Sequence, residues 1–328
     1  MSELRKVFDS LPTPSSVKSL RAAKLRNFSN KVWICKDKKK QPVILLKSSD
    51  KFLKQNVPPI SLNNIEISHC QKRIVETGSK RDEIFCSIIT CKSNDEDLLD
   101  LFFDVLDTLF KKFSFPVEPK KIKELLEKLV KLFESIKNAP KKSVQGLWAE
   151  LFLIYRSNNH VKVIECWHKE TKAKYDFQNQ KNFLEVKSTI QQERKHTFSL
   201  EQAQAKEGQN VVIASLLLEP DDEGLTIKNL EMLIKNKIKN RSDLIEELIY
   251  QIRSTLGTDW KKGNQDRFSE SFASSNLKFF DLKDIPKLDE KVKTRGVEKI
   301  KFTSNLDFAP EVKKSIFKAK SSLYRAAL

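Results

Sequence analysis

One stretch constrains this chain more than any other: Tyr175-Asp176-Phe177-Gln178-Asn179-Gln180-Lys181-Asn182-Phe183-Leu184-Glu185-Val186-Lys187-Ser188-Thr189. Side chains alternate faces along a strand, so Glu185, Lys187 and Thr189 share one face and Leu184, Val186 and Ser188 the other. A turn over the polar segment Gln178 to Asn182, centred between Gln180 and Lys181, sets Asp176 directly across from Glu185. In that register Phe177 faces Leu184 and Tyr175 faces Val186, so one side of the hairpin is apolar and packs on a core. The other side carries two acids and a lysine.

Opposed carboxylates destabilise a hairpin, because cross-strand neighbours have Cβ atoms only about 4.5–5.5 Å apart. A hard divalent cation compensates them: Mg²⁺ takes one or two carboxylates, keeps several waters and accepts phosphate oxygens. Lys187, two residues on and on the same face, then suits holding a scissile phosphate or orienting an attacking water. Glu-x-Lys alone carries little information, since it recurs at Glu118, Glu170, Glu193 and Glu311. Glu118 precedes a proline, Pro310-Glu311 looks like a helix opening, and Glu170 and Glu193 lie in polar surroundings. Only Glu185 combines strand character with an aspartate one strand upstream.

A third acid stands at Glu150. Apolar residues at 144, 147, 148, 151, 152 and 155 have a helical period, which Glu150 interrupts. Such a carboxylate is either on the solvent flank of the helix or aimed at a partner.

Together these residues resemble the PD-(D/E)XK nuclease superfamily: a helix with Glu150, a strand at about 161–167, a strand with Asp176, a strand with Glu185-x-Lys187, then helix and strand. They are similar in particular to a bacterial family of PD-(D/E)XK-motif proteins from restriction and phage-defence gene clusters. That likeness rests on Gly146-Leu147-Trp148-Ala149-Glu150, Tyr175-Asp176-Phe177, Leu184 to Thr189 and His196 to Gln202. Tyr175 stands where the superfamily's name puts proline, a residue that shapes the strand entry and does no chemistry. The resemblance implies an α/β (mixed α+β) fold, with an αβββαβ restriction-endonuclease-like core whose central mixed sheet is flanked by helices. It implies Asp176 and Glu185 as metal ligands, Lys187 as the catalytic lysine, Glu150 as an accessory ligand, and Mg²⁺ or Mn²⁺ as cofactor. The activity it implies is that of a metal-dependent DNA endonuclease of a restriction or phage-defence system. The alternative is a nucleic-acid-binding scaffold subunit that keeps the fold without cutting.

Arg194, His196 and Gln202 follow the catalytic strand. Ser199-Leu200-Glu201-Gln202 is a capping-box pattern that opens a helix beside the proposed site. These three side chains either reach substrate phosphate or bases, or form a surface loop with an ordinary cap.

A formal net charge of +17 favours a polyanionic partner, because neutralising phosphates releases condensed counterions, without separating DNA from RNA or an anionic membrane; the resemblance implies DNA. Further subunits of such a system and a homodimer are the other expected partners. The longest apolar run, Val211 to Leu218, is far short of a bilayer span, and no hydrophobic signal core follows Met1, so the expected location is the cytoplasm without membrane attachment. Cysteines at 35, 70, 86, 91 and 166 are scattered, odd in number and without a Cys-x-x-Cys, so neither a zinc site nor a disulfide framework is indicated. His69 and His160 carry no motif, and His168 is read as a strand-end residue after Trp167.

The organisation expected is a β-rich module over 1–92, a helical connector over 93–140 and the nuclease-like core over 141–328. Val32 to Cys35 and Val43 to Leu46 form a hairpin across the basic segment Lys36 to Lys40, and Ile65 to Ile67 and Ile84 to Ile89 add strands. Helical patterns follow at about 95–114 and 119–137, bounded by prolines 116, 119 and 140. Beyond the motif, Asn210 to Leu218 reads as a buried strand, 225–238 and 242–255 as helices, and Leu277 to Leu282 and Val297 to Phe302 as strands. Val312 to Tyr324 reads as a basic amphipathic helix whose lysines form a solvated face.

Overall fold

The computed structural model describes residues 2–14, 20–25, 31–48, 58–61, 64–77, 80–110, 144–168, 173–257, 265–289 and 299–328, with 120, 122, 127 and 297. The chain divides into two compact units, Met1–Ser135 and Ile136–Leu328. The helical pattern expected at about 119–137 lies almost wholly outside the described residues.

The first unit is built on an antiparallel sheet. Strands β1 (Arg21–Lys24), β2 (Val32–Lys36), β3 (Pro42–Lys47), β4 (Ile60–Ser61), β5 (Ile65–Thr77) and β6 (Lys80–Cys91) lie in the order β1-β2-β3-β6-β5-β4. β2 and β3 form the expected hairpin, with Cys35 opposite Val43 and Val32 opposite Leu46. Its turn is closed by the Asp37 carboxylate accepting the Gln41 N–H at 2.7 Å, with Lys40 in the left-handed region at φ +63°. Trp33, Cys35, Val43, Leu45, Ile84, Cys86 and Ile88 form one core. Helix α1 (Glu3–Ser10), capped by Ser2, packs on α2 (Glu96–Phe110) through Phe8 and Phe103, whose rings lie 5.2 Å apart. Arg5 of α1 pairs with Asp9 and Glu96, so the two helices are joined by charge as well as apolar packing.

The second unit centres on a mixed four-stranded sheet, β12-β10-β8-β7. Strands β7 (Phe177–Asn179) and β8 (Asn182–Thr189) form the expected hairpin: Phe177 pairs with Leu184, Asn179 with Asn182, and Gln180 takes φ +53° in the turn. Strand β10 (Asn210–Leu217) runs parallel to β8, and β12 (Lys278–Asp281) pairs antiparallel on its far side. A parallel strand needs a crossover, supplied by β9 (Lys195–Ser199) and the one-turn helix α5 (Leu200–Ala203). Ser199 caps that helix in a full capping box with Gln202, as its sequence predicts.

Helices gather on one face of this sheet. Leu184 and Val186 of β8 and Val212, Ala214 and Leu216 of β10 join a core with α3 (Val144–Arg156), α4 (His160–Glu165), α6 (Ile227–Lys237) and α7 (Ser242–Leu256). The other face, expected to carry helices too, is closed largely by the ribbon of β9 and β13 (Lys301–Asn305), with Tyr175, Phe183, Phe198, Val211, Ile213 and Leu306 packed together. Pro220–Leu225 adds β11 and Glu270–Asn276 adds α8.

Three expectations are corrected. The segment at about 161–167 is not a strand: Asn159 accepts the Lys162 N–H and starts α4, and strand-like contact is limited to the Trp167–Phe177 bridge that follows. The three strands between α3 and α5 are therefore β7, β8 and β9. Tyr175 does not share the apolar side with Val186. The chain bends at 174–176, and its ring packs on Phe183 at 5.2 Å on the opposite face. The tail is not one amphipathic helix but two short ones, α9 (Lys314–Lys320) and α10 (Ser322–Ala327), broken at Ser321, whose hydroxyl caps α10. The second docks Leu323, Tyr324, Ala326 and Ala327 into the core. The Tyr324 hydroxyl sits 2.9 Å from the Phe183 carbonyl and 2.8 Å from that of Asn210, tying the tail to β8 and β10.

Candidate active site

The parallel pairing of β8 and β10 aligns Glu185 with Ile213 and Lys187 with Ser215. Along this shared face the side chains change from apolar (Phe183, Val211, Ile213) to polar (Glu185, Lys187, Ser215) toward the carboxyl ends of both strands. That end of a parallel pair is where α/β sheets commonly place ligands.

Asp176 lies just before β7, where the hairpin ladder stops. One of its carboxylate oxygens accepts the Val186 N–H at 2.8 Å, and its carbonyl accepts the His168 N–H at 2.8 Å. The side chain thus takes a Val186 N–H that the ladder, ending at Phe177 and Leu184, does not reach. Asp176 reaches the peptide beside Glu185 rather than standing across from its carboxylate.

Glu150 is 5% exposed on the sheet-facing side of α3, which settles its two sequence alternatives in favour of a partner. Its Oε2 accepts from Trp167 Nε1 at 2.8 Å and lies 2.7 Å from His168 Nε2. Ligand atoms of Glu150, His168 and Asp176 all fall within 4.8 Å of one another. Sequence reasoning passed over His168; its place three residues after the end of α4, with φ +41°, is a tertiary feature that no spacing announces. Glu185 is not a member of that group.

Glu185 faces the other catalytic candidate. Its Oε1 accepts from Lys187 Nζ at 2.9 Å and from Gln202 Nε2 at 3.2 Å. Its Oε2 is buried without a hydrogen-bond partner. A buried carboxylate oxygen normally has a partner, and leaving one out costs about 1–3 kcal/mol or more for a charged group. Lys187 also lies over the Phe198 ring, 5.2 Å from its centroid. Tyr175, in the position named for proline, donates its hydroxyl to the Gln202 carbonyl at 3.1 Å. Burial, then the Glu185 charge, push that phenol well above its ordinary range.

The three residues expected at substrate take different places. Gln202 caps α5 and braces Glu185. Arg194 is 2% exposed: Nη1 donates to the Ser215 carbonyl at 2.9 Å and hydroxyl at 3.1 Å, and Nη2 to the Asn276 carbonyl at 2.7 Å. His196 is buried, with Nε2 2.7 Å from the Ser215 hydroxyl. Burial, then Lys187 and Arg194, lower its pKa to about 3. A cleft of about 420 Å³ opens beside Lys187, and its exposed lining is Ile190, Gln191, Lys195 and Thr197 with half-buried Gln145.

These groups fit a divalent cation on two grounds: two carboxylates and an imidazole converge, and Glu185 keeps a buried oxygen without a partner. Helix with acid, hairpin with Asp and Glu-x-Lys, third strand, helix and parallel strand define the PD-(D/E)XK class of nuclease-like proteins. The chain belongs to the family described as "Putative PD-(D/E)XK family member (DUF4420)", which matches residues 4–307. No curated protein and no solved structure matches it. Among the described residues no helix is long and apolar enough to cross a membrane.

Proposed function

We propose that the protein is a divalent-metal-dependent DNA endonuclease of a bacterial restriction or phage-defence system, acting in the cytoplasm. One observation carries the reading: half-buried Lys187 pairs with buried Glu185, whose second carboxylate oxygen has no hydrogen-bond partner, one peptide from the Asp176 contact and beside a Glu150–His168–Asp176 group.

Asp176, Glu150 and the open oxygen of Glu185 would hold the cation, Mg²⁺ or Mn²⁺. When bound, that ion supplies Lewis acidity toward a phosphate oxygen and acidifies a coordinated water. Lys187 carries a positive charge to the non-bridging oxygens of the scissile phosphate, where negative charge grows. Glu185 holds the ammonium in place, and Gln202 holds Glu185. Water oxygen bonds to phosphorus as the bond to one ester oxygen breaks. The water's proton leaves to solvent and the departing alkoxide takes one up, giving an alcohol and a phosphate monoester. The cleft lined by Gln145, Gln191, Lys195 and Thr197 would receive the strand being cut. Cutting both strands needs two such sites, which a homodimer or a partner subunit supplies.

The test is cleavage of duplex DNA with Mg²⁺ or Mn²⁺ by wild type and by Lys187→Ala. Product formation falling at least about 100-fold, with DNA binding and folding kept, is expected of a group that stabilises the transition state. Undiminished cutting by the variant refutes the assignment. DNA binding that falls with salt but never yields metal-dependent product marks a non-cutting scaffold instead.

A further inference from the structure

We infer that His168 is a nitrogen ligand to the metal and that it biases the site toward a first-row transition ion over Mg²⁺. The inference rests on the proposed metal-dependent reading and goes beyond it, since the carboxylates alone would suit Mg²⁺.

Three observations carry it. First, the compact ligand set is Glu150, His168 and Asp176, not the Asp176–Glu185 pair that the motif suggests. Two hard oxygen donors and one imidazole form a mixed set, whereas Mg²⁺ prefers octahedral oxygen and dehydrates reluctantly. Second, neighbouring contacts fix the group: the His168 backbone N–H donates to the Asp176 carbonyl at 2.8 Å, and the Trp167 indole donates to the same Glu150 oxygen that lies 2.7 Å from His168 Nε2. The Glu150 carboxylate is thus oriented by an outer contact before any ion arrives, as at many metal centres. Third, a buried acceptor stands open nearby in the fold, Glu185 Oε2, beside the Val186 peptide that Asp176 holds.

The experiment uses the full chain loaded with Mn²⁺ and pulsed electron paramagnetic resonance, which detects nitrogen bound to the ion. The expected result is a nitrogen coupling that changes from ¹⁴N to ¹⁵N character when only histidine is isotopically labelled, so the wild type is tested without mutation. In His168→Gln that coupling disappears, and Mn²⁺ affinity falls at least about tenfold, in the range for loss of a ligand contact, while Mg²⁺ affinity changes less than threefold. Bound Mn²⁺ with no histidine coupling, or coupling that persists in folded His168→Gln, overturns this inference and leaves the nuclease reading standing. Mn²⁺ binding that is absent, or unaffected by Asp176→Ala/Glu150→Ala, overturns both.

Discussion

Replacing Arg194 by methionine separates an internal strut from a phosphate-binding side chain. Methionine keeps most of the volume and removes the guanidinium. Three donations are lost, to the Ser215 carbonyl and hydroxyl and to the Asn276 carbonyl, at 2.9, 3.1 and 2.7 Å. Hydrogen bonds from charged groups contribute about 1.5–3 kcal/mol each but do not add when they share one side chain. The Asp307 pairing adds little, because that carboxylate is 45% exposed and its contact is 3.7 Å. Leaving interior acceptors without donors should destabilise the second unit by about 3–5 kcal/mol, a large part of the roughly 5–15 kcal/mol typical of a domain. Urea unfolding followed by fluorescence of Trp148 and Trp167, both buried in that unit, measures the loss. DNA affinity measured against salt at a temperature where the variant is folded should keep the wild-type slope. Lys195→Ala should do the reverse: its partner Glu193 is as exposed as it is, so stability stays within about 0.5 kcal/mol while the salt slope falls by about one. A loss under about 1 kcal/mol for Arg194→Met, with a shallower slope, would show that this arginine meets phosphate.

Further outcomes follow from the buried charges. His196 has a folded pKa near 3 against an ordinary 6.5, so the unfolded chain binds the extra proton between those values. Stability should fall as pH drops from about 6.5 toward 3, by up to about 1.4 kcal/mol per unit from this group, and His196→Asn should flatten that part of the profile. Burial would raise the Glu231 carboxyl, but Arg253 and Lys235 outweigh it and bring it to about 2. Its contribution is complete above an ordinary carboxylate pKa and is lost as pH falls toward 2. Glu231→Gln, which leaves both cations facing an amide, should cost about 3–5 kcal/mol in chemical unfolding at neutral pH. Little change there would mean the two cations find water instead.

The hairpin was legible because turn and strand signals agree: the two-residue turn at Gln180-Lys181 and the alternation of Leu184 and Val186 fix one register. The capping box at Ser199 and Gln202 was equally local, as were β10, α6 and α7. The failures share a cause. At 161–167 the apolar pattern is too short to distinguish strand from helix, and one cap, Asn159, decides for helix. Tyr175 was misplaced because alternation holds only while the chain stays extended, and the bend before β7 lets the Asp176 side chain, not its backbone, meet Val186. Arg194 reads as a surface cation until β10 supplies Ser215 to bury it, and that contact joins residues 21 positions apart. His168 was silent for the same reason: its partners Glu150 and Asp176 come from a helix and a strand entry that only the fold brings together.

Calorimetric titration of Mn²⁺ or Mg²⁺ into the protein with a short DNA duplex, comparing wild type with Asp176→Ala/Glu185→Ala, tests the central claim most directly. A binding heat in the wild type that vanishes in the folded double variant is the predicted result. Equal heats from the two proteins would contradict a metal centre on this hairpin and leave a DNA-binding protein that does not cut.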